Sequence, residues 1–265
     1  MKISTYLSLL YQFALKETKV KYKSPLLGFL WMFFLPLSMV LIFKVVFSLI
    51  VKVSIPGYPF FIFLTLGVFP WNFLATSLAG TVNSLVDNEA LIKKVYFPRQ
   101  IIPLSIILGN LFNFMVSNLI ILIFAILFKV SLSKFIVFLP LLIIVEFIFT
   151  SGLAFFFSSL QVLYRDVKYL VEILLLIWFY ISPVFYPLSL VAQVSEKFLN
   201  YYLLNPLVPL LTLYRIVYLK DYVKILPSGL TVLKLIIYLV IWTLLVCTLG
   251  CCVFSRLRKR FTDFL

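Results

Sequence analysis

The chain has 265 residues, of which 64% are hydrophobic and only 12% are charged. A soluble domain of this size cannot cover so much apolar surface with so few polar side chains, so the composition excludes a soluble globular protein. The formal net charge is +14, but the basic residues cluster at the ends of apolar segments. That distribution favours contact with anionic lipid headgroups over binding to nucleic acid.

Apolar segments of more than about 20 residues recur along the chain, long enough to cross a bilayer as helices. They are continuous rather than alternating, which excludes a transmembrane β-barrel. We therefore predict an all-α polytopic membrane protein, a single membrane domain over residues 1–265, with six transmembrane helices. The predicted spans are residues 26–51, 59–82, 101–128, 135–163, 169–186 and 230–254.

Residues 1–24 precede the first predicted span and carry apolar side chains at helical spacing, among them Tyr6, Leu10 and Phe13. Four lysines follow between residues 16 and 23. This pattern is typical of an amphipathic helix that lies along the membrane surface.

A polar segment, residues 87–100, separates the second and third spans; we call it the island, and its helical part is residues 87–98. That part is predicted to be a single amphipathic helix, with Asp87 as its N-cap and Pro98 as its end. Such a helix either lies on the lipid surface or docks a soluble partner, and it could transmit a push from that partner into the two spans. One face of this helix carries Leu91, Ile92, Val95 and Tyr96.

Residues 198–219 are apolar enough to resemble a further span, but Asn205-Pro206 and Pro209 divide them into pieces too short to cross. We therefore predict re-entrant half-helices within an outer segment, residues 187–229. Charge supports this interpretation, because the positive-inside rule places all four basic clusters in the cytoplasm and so requires an even number of crossings. The clusters are the N-terminal segment, the island, Tyr164-Arg-Asp-Val-Lys168 and the tail Arg256-Leu-Arg-Lys-Arg260.

Two ionisable residues fall inside predicted spans: Glu146 near the middle of the fourth and Lys44 in the outer half of the first. An ionisable residue at that depth is a functional candidate, although each can equally form a structural hydrogen bond or ion pair within the bundle. Lys44 can also extend towards the membrane surface. Neither has a catalytic partner, so we predict no catalytic residue, and a membrane-embedded enzyme is disfavoured.

A phosphate-binding Gly-x-x-x-x-Gly-Lys-Ser/Thr loop is absent, because none of the eight glycines is followed by lysine. Active transport would therefore need an external source of energy. The sequence has no histidine, and its three cysteines, Cys247, Cys251 and Cys252, lie inside the last predicted span. They are interpreted as buried packing residues, and no metal site is predicted.

Aromatic residues are abundant, with 29 Phe, 15 Tyr and 4 Trp. Belts at the membrane surface explain most of them. A minority could line a path through the membrane, where aromatic rings suit the apolar faces of sugars. The candidates for such a path are Trp71, Trp178, Tyr180, Phe185 and Tyr186.

Six motifs occur in a fixed order along the chain. They are Leu27-Gly-Phe-Leu-Trp31 with Pro36-Leu37, Gly67-Val-Phe-Pro-Trp71, Leu91-Ile-Lys-Lys-Val-Tyr-Phe-Pro-Arg99, Tyr164-Arg-Asp-Val-Lys168, Ser182-Pro-Val-Phe-Tyr-Pro187 and Leu204-Asn-Pro206. Together they resemble the transmembrane subunit of the type-2 ABC exporters, the family that includes O-antigen, capsule and wall teichoic acid permeases. The resemblance covers essentially the whole chain. Two positions depart from it: Gln100 stands where an acid is expected, and Leu176 where a glutamine is common.

The resemblance implies a permease subunit that exports a lipid-linked glycan across the cytoplasmic (inner) membrane of a bacterium, with both termini in the cytoplasm. Two copies would form a channel at their interface. Two separate ATPase subunits, which hold ATP and Mg, would dock on the cytoplasmic side, so this chain would carry no cofactor. The island would be the coupling helix. The residues implied in coupling are Asn88, Leu91, Ile92, Lys93, Val95, Tyr96, Arg165 and Asp166.

Other interpretations of the sequence remain open at this point. Within the same exporter class, the substrate could be a small molecule or a drug. A channel or carrier that needs no ATPase is a second alternative. A glycan-processing membrane enzyme is a third, although it would need converging acidic side chains.

Overall fold

The computed structural model describes residues 3–22, 31–50, 55 and 57–264. Its helices are joined by loops that contain two isolated β-bridges. A π-helix (Lys44–Ile50) extends α2, a 3-10 turn (Lys134–Phe138) leads into α7, and another (Tyr222–Ile225) follows α11. The α-helices are α1 (Ile3–Tyr22), α2 (Trp31–Phe43), α3 (Phe60–Val82), α4 (Ser84–Asp87), α5 (Glu89–Lys94), α6 (Ile101–Leu127), α7 (Leu139–Leu163), α8 (Val167–Ile181), α9 (Leu188–Val194), α10 (Glu196–Tyr202), α11 (Leu207–Tyr218), α12 (Val232–Leu257) and α13 (Phe261–Phe264).

Four helices in the described part of the chain are long and apolar enough to cross a membrane. They are Phe60–Val82, Ile101–Leu127, Lys134–Leu163 and Val232–Leu257. This confirms the prediction of an all-α membrane protein, and the ends of four predicted spans lie within three residues of these helix ends. Shorter apolar helices lie at Pro36–Phe47 and Leu207–Tyr218.

The first and fifth predicted spans differ in extent from the helices that the structure describes. The first is helical over residues 31–50, and residues 26–30 and 51 lie outside the described residues, as do residues 1, 2, 23 and 24 of the predicted N-terminal helix. The fifth prediction, to residue 186, is wrong at its end, because α8 ends at Ile181. Ser182 takes extended backbone angles (φ −92°, ψ 152°), as expected for a residue that precedes a proline, here Pro183.

The central element of the bundle is α3, since 17 of its 23 residues are buried. It packs against α2, α6, α7, α8 and α11. By contrast, only 5 of the 26 residues of α12 are buried, so α12 lies at the edge. It packs against α7 and α11. A helix that is apolar on all sides and buries so little of its surface is expected to face lipid over the rest.

The contact that holds α12 is a close crossing with α7 at two glycines. A Cβ atom added to Gly250 would lie 2.0 Å from the carbonyl oxygen of Gly152. Residues without side chains let the two backbones approach this closely, which is how helices commonly associate in membranes.

The connections between helices gather at two ends of the bundle. At one end, the Tyr58 hydroxyl donates to the carbonyl of Lys220. The amide of Ser133 donates to the carbonyl of Tyr218 at 3.0 Å, and the amide of Lys220 donates to the carbonyl of Ser131 at 3.1 Å. We call this the loop end.

The opposite end of the bundle lies at the C-terminus of α3, and we call it the island end. There the guanidinium of Arg99 donates to the carbonyl of Arg258, and the rings of Phe13 and Phe97 stack at 5.9 Å. The island, the C-terminal tail and α1 therefore share one end. A small buried cluster, the island core, lies there and consists of Leu85, Ile92, Ile102, Phe155, Val162, Phe254 and Phe261.

Candidate functional site

The island is not the single helix that was predicted. It breaks at Asn88 into α4 and the six-residue α5, which ends at Lys94. Asp87 is the last residue of α4 rather than an N-cap. The break has a local cause: the side-chain amide of Asn88 donates to the carbonyl of Ser84 at 2.9 Å and so terminates α4 instead of capping α5. Val95 then takes an extended conformation (φ −126°, ψ 131°), ahead of Pro98.

The side chains of the predicted island face point in different directions. Ile92 is only 5% exposed and belongs to the island core, whereas Val95 is exposed and Tyr96 is as open as an isolated side chain, at 106%. Leu91 is half-buried and Lys93 is exposed. A soluble partner would therefore meet Tyr96, Val95 and the lysines, while Ile92 anchors the island to the bundle.

An ion pair stabilises the short α5. The ammonium of Lys93 lies 2.6 Å from a carboxylate oxygen of Glu89, one turn earlier on the helix. This hydrogen bond lowers the pKa of the Glu89 carboxyl below its ordinary value. The order of the pair, with the acid first, also suits the helix dipole.

Gln161, which the sequence did not single out, joins Asn83, at the end of α3, to the second polar segment, residues 164–168. Its side-chain nitrogen donates to the side-chain oxygen of Asn83 at 2.8 Å and to the carbonyl of Arg165 at 2.9 Å. Its side-chain oxygen accepts from the amide of Lys168 at 2.8 Å. Arg165 and Asp166 themselves are exposed. One buried amide thus fixes the connections after α3 and α7 to each other.

The predicted path residues divide by exposure. Tyr180 is 57% exposed on α8. Trp71 is buried, with its ring 5.5 Å from that of Phe179. Trp178 donates its ring N–H to the side-chain oxygen of Asn205 at 2.8 Å. The two tryptophans therefore serve packing in this structure, and only Tyr180 of these three presents an open ring.

The other two candidates, Phe185 and Tyr186, lie in the loop after α8. The Phe185 ring packs 4.9 Å from that of Phe47, so it joins α8 to the π-helix. The hydroxyl of Tyr186 lies 2.8 Å from that of Tyr202. Both side chains are half-buried at the junction of α8 with the outer segment.

Glu146 is fully buried, and its partner is Tyr214 on α11. The Tyr214 hydroxyl donates to Oε2 of Glu146 at 2.6 Å, while Oε1 has no hydrogen-bond partner among the described residues. Lys44 contacts a different side chain, because its Nζ is 5.9 Å from the ring centroid of Phe61. The carboxylate therefore joins α7 to the half-helix α11 rather than to the first span.

Arg215 is a charged residue inside the helix bundle that sequence reasoning missed. It is fully buried, and its guanidinium donates to the carbonyls of Pro183 at 2.6 Å and Val184 at 2.9 Å. The same group lies 3.7 Å from the centroid of the Phe63 ring. A Cβ atom at Gly67 would be 2.1 Å from the carbonyl oxygen of Val184, so a glycine is needed where the loop crosses α3. A single arginine in the apolar run 207–219 was the available signal.

The interpretation of the cysteines as buried packing residues is correct only in part. Cys247 is half-buried, and its backbone faces Gly152 across the α7–α12 crossing. Cys251 and Cys252 are exposed on α12, because that helix buries a single face.

Comparison with known proteins places this arrangement in a family. A sequence profile described as "ABC-2 type transporter" matches residues 8–219. The chain is 33% identical to the "O-antigen export system permease protein RfbA" of Myxococcus xanthus, over 80% of this chain and 81% of the relative. It is 30% identical to a protein of the same name from Klebsiella pneumoniae, over 94% of this chain and 92% of the relative. The profile and the relatives each cover most of the chain, which therefore belongs to the ABC-2 type transporter family.

Proposed function

We propose that this chain is the permease subunit of an ATP-driven exporter that moves a lipid-linked glycan of the O-antigen type across the cytoplasmic membrane of a bacterium. The observation that carries this proposal is the island, an exposed polar element tied by hydrogen bonds to one end of an apolar helix bundle. The names of the relatives support the substrate class. ATP and Mg would be held by a separate ATPase partner.

The chain crosses the membrane six times in this proposal. The described part of the first span, α2 with its π-helix, and α8 join the four long helices as the two shorter crossings. Since α3, α6, α7 and α12 alternate between the loop end and the island end, this count leaves α1 and the tail on the island side. The basic residues of that side make it cytoplasmic by the positive-inside rule.

The segment between α8 and α12 is re-entrant in this proposal. The 15 residues of α8 span about 22 Å, less than the roughly 30 Å of a hydrocarbon core. The bond from Trp178, near the end of α8, to Asn205 supports a position of the turn before α11 within the outer leaflet. From there α11 rises to the loop end, where its last carbonyl meets Ser133.

Coupling to the ATPase would pass through the island core. Tyr96 and Val95 offer an aromatic and an aliphatic side chain to a groove on the partner, and Asp166 and Arg165 extend this surface through the Gln161 junction. Behind them, Ile92 packs with residues of α6, α7 and α12. A displacement of the island would thus act on three spans at once, because a packed core moves as a unit.

A second copy of the chain would complete the channel. The outer face of α8 exposes a continuous apolar stripe that also carries the carboxylate of Glu172. A charged side chain that faces lipid is unfavourable, so this face is better matched to a second copy and a hydrated path between the two. Tyr180 lies on the same face and presents its ring to sugars.

The proposal is tested by co-expressing the chain with an ATPase of the same exporter class in a strain that lacks its own O-antigen exporter. We expect a stable complex, ATP hydrolysis above the level of the ATPase alone, and glycan at the cell surface. An ATPase-independent channel would move substrate without nucleotide. A small-molecule exporter would hydrolyse ATP in response to a drug, with no glycan at the surface.

A further inference from the structure

A groove of about 850 Å³ opens at the island end, between the residues that follow α5 and the end of α12. One wall is apolar and is formed by Ile92, Phe97 and Phe254. The rim carries three basic residues, Arg99, Arg258 and Lys259. None of the lining residues that the structure describes is acidic. Its chemistry therefore fits a ligand with an anionic head and an apolar body.

The side chain of Arg99 and the backbone of Arg258 are held together. Arg99 donates a hydrogen bond to the carbonyl of Arg258, and its guanidinium lies 5.8 Å from the ring centroid of Phe261. This contact places a cation at the C-terminus of α12, where the helix dipole favours positive charge. It also holds the tail against the island. The backbone that carries the rim charges is therefore fixed rather than part of a free chain end.

The groove lies at the level where two spans end. Phe254 is in the last turn of α12, which ends at Leu257, and Gln100 directly precedes α6. Residues at this depth border the headgroup layer of the bilayer. Basic pockets between transmembrane helices on the cytoplasmic side are typical sites for phospholipid headgroups, and each basic side chain near such a surface contributes about 1 kcal/mol.

We infer that this groove binds an anionic phospholipid of the cytoplasmic leaflet, with the phosphate on Arg258 and Lys259 and an acyl chain against Phe97 and Pro98. Val95 and Tyr96 also line the groove. A bound lipid would therefore lie beside the island and support its position. The lipid site depends only on the island end bordering a membrane, and not on the glycan or the ATPase. If the test rules out this site, the proposed function is unaffected.

The test compares lipid retention by matched variants. The purified chain is reconstituted in phosphatidylcholine vesicles with or without phosphatidylglycerol, extracted gently, and its bound lipid is measured by native mass spectrometry. The groove variant is Arg258→Gln with Lys259→Gln. The control is Arg256→Gln with Arg260→Gln, which removes the same charge from the same tail without touching a lining residue. Chromatographic profiles verify that both variants stay folded.

We expect the groove variant to retain phosphatidylglycerol roughly thirty-fold less well than the wild type. The control should lose far less, because its two arginines do not line the groove. A photoreactive phosphatidylglycerol should label the peptide that contains Phe97 and Pro98. Equal losses in both variants, or loss in neither, would overturn the site.

Two further arms identify a different occupant. If polyprenyl phosphate is retained and phosphatidylglycerol is not, the groove belongs to the lipid carrier. If the groove variant fails to bind the ATPase in vesicles of phosphatidylcholine alone, the groove holds a segment of that partner. Either result contradicts the phospholipid site.

Discussion

Tyr214 of α11 donates a hydrogen bond of 2.6 Å to the carboxylate of Glu146 in α7, and both side chains are completely buried. The bond joins α11, a half-helix that does not span the bundle, to α7, a helix that does. Together with the bonds from Arg215 to the loop after α8, it holds α11 in place by polar contacts in an apolar setting.

Glu146 is expected to act in packing rather than in substrate contact. Glu146→Gln keeps an oxygen that accepts from Tyr214, so export should be largely retained. Glu146→Leu strands the Tyr214 hydroxyl and should cost about 1 to 3 kcal/mol of stability, as should Tyr214→Phe, which strands the carboxylate. Thermal unfolding in nanodiscs measures the stability, and surface glycan measures export. Loss of export in a fully assembled Glu146→Gln complex would place the charge in the path instead.

Arg215 should be intolerant of replacement even by lysine. A lysine ammonium lacks the planar fork that reaches several carbonyls at once, so Arg215→Lys should lower stability by about 1 to 3 kcal/mol. Lys220→Ala is the matched control, because Lys220 is exposed and contributes its backbone, not its side chain, to the loop-end bonds. Equal apparent melting temperatures for Arg215→Lys and the wild type would contradict the role given to these bonds.

The α7–α12 crossing should be sensitive to a single methyl group. In Gly250→Ala, the new Cβ would meet the Gly152 carbonyl, a backbone atom that cannot turn aside, so we expect a loss of about 1 to 3 kcal/mol. Gly80→Ala provides the control, since its Cβ would meet a side-chain methyl, Cγ2 of Ile106, at 3.1 Å rather than a backbone atom. Unfolding of the two variants side by side in detergent checks this, and an unaltered Gly250→Ala protein would argue against the observed crossing.

Tyr96 is the residue of choice for testing coupling, because its side chain is fully open and its loss leaves no cavity. A buried aromatic anchor at an interface commonly contributes about 2 kcal/mol, so Tyr96→Ala should weaken ATPase binding roughly thirty-fold and reduce stimulated hydrolysis. Membrane insertion should be unchanged. Ile92→Asp gives the contrasting result, a loss of folded protein, because it buries a charge in the island core. Full ATPase stimulation by Tyr96→Ala would remove this residue from the docking surface.

Six crossings can be checked by cysteine labelling after the native cysteines are replaced. Arg258→Cys should react only with reagents that reach the cytoplasm, and Gln193→Cys should react from outside. Both positions are exposed, so accessibility is not limiting. Reversed labelling at either position would require a different number of crossings.

Much of the fold could be predicted because it depends on local properties. A backbone in lipid has to satisfy its hydrogen bonds within each helix, so the length of an apolar run predicts α3, α6, α7 and α12 almost to the residue. Proline positions likewise indicated that the run before Leu219 would break. The site was harder to predict. The island was located, but its break at Asn88 depends on one side-chain bond that competes with helix continuation.

Composition and run length by themselves determined that this is a helical membrane protein, and the order of its motifs pointed to a family. Only the tertiary structure decided which side chains serve which purpose. Ile92 points inward because the end of α12 packs against it, and Arg215 finds carbonyls about thirty positions away. Glu146 finds a hydroxyl 68 positions away. In an apolar interior a polar group must take whatever partner the packing brings near, and spacing along the chain does not reveal that partner.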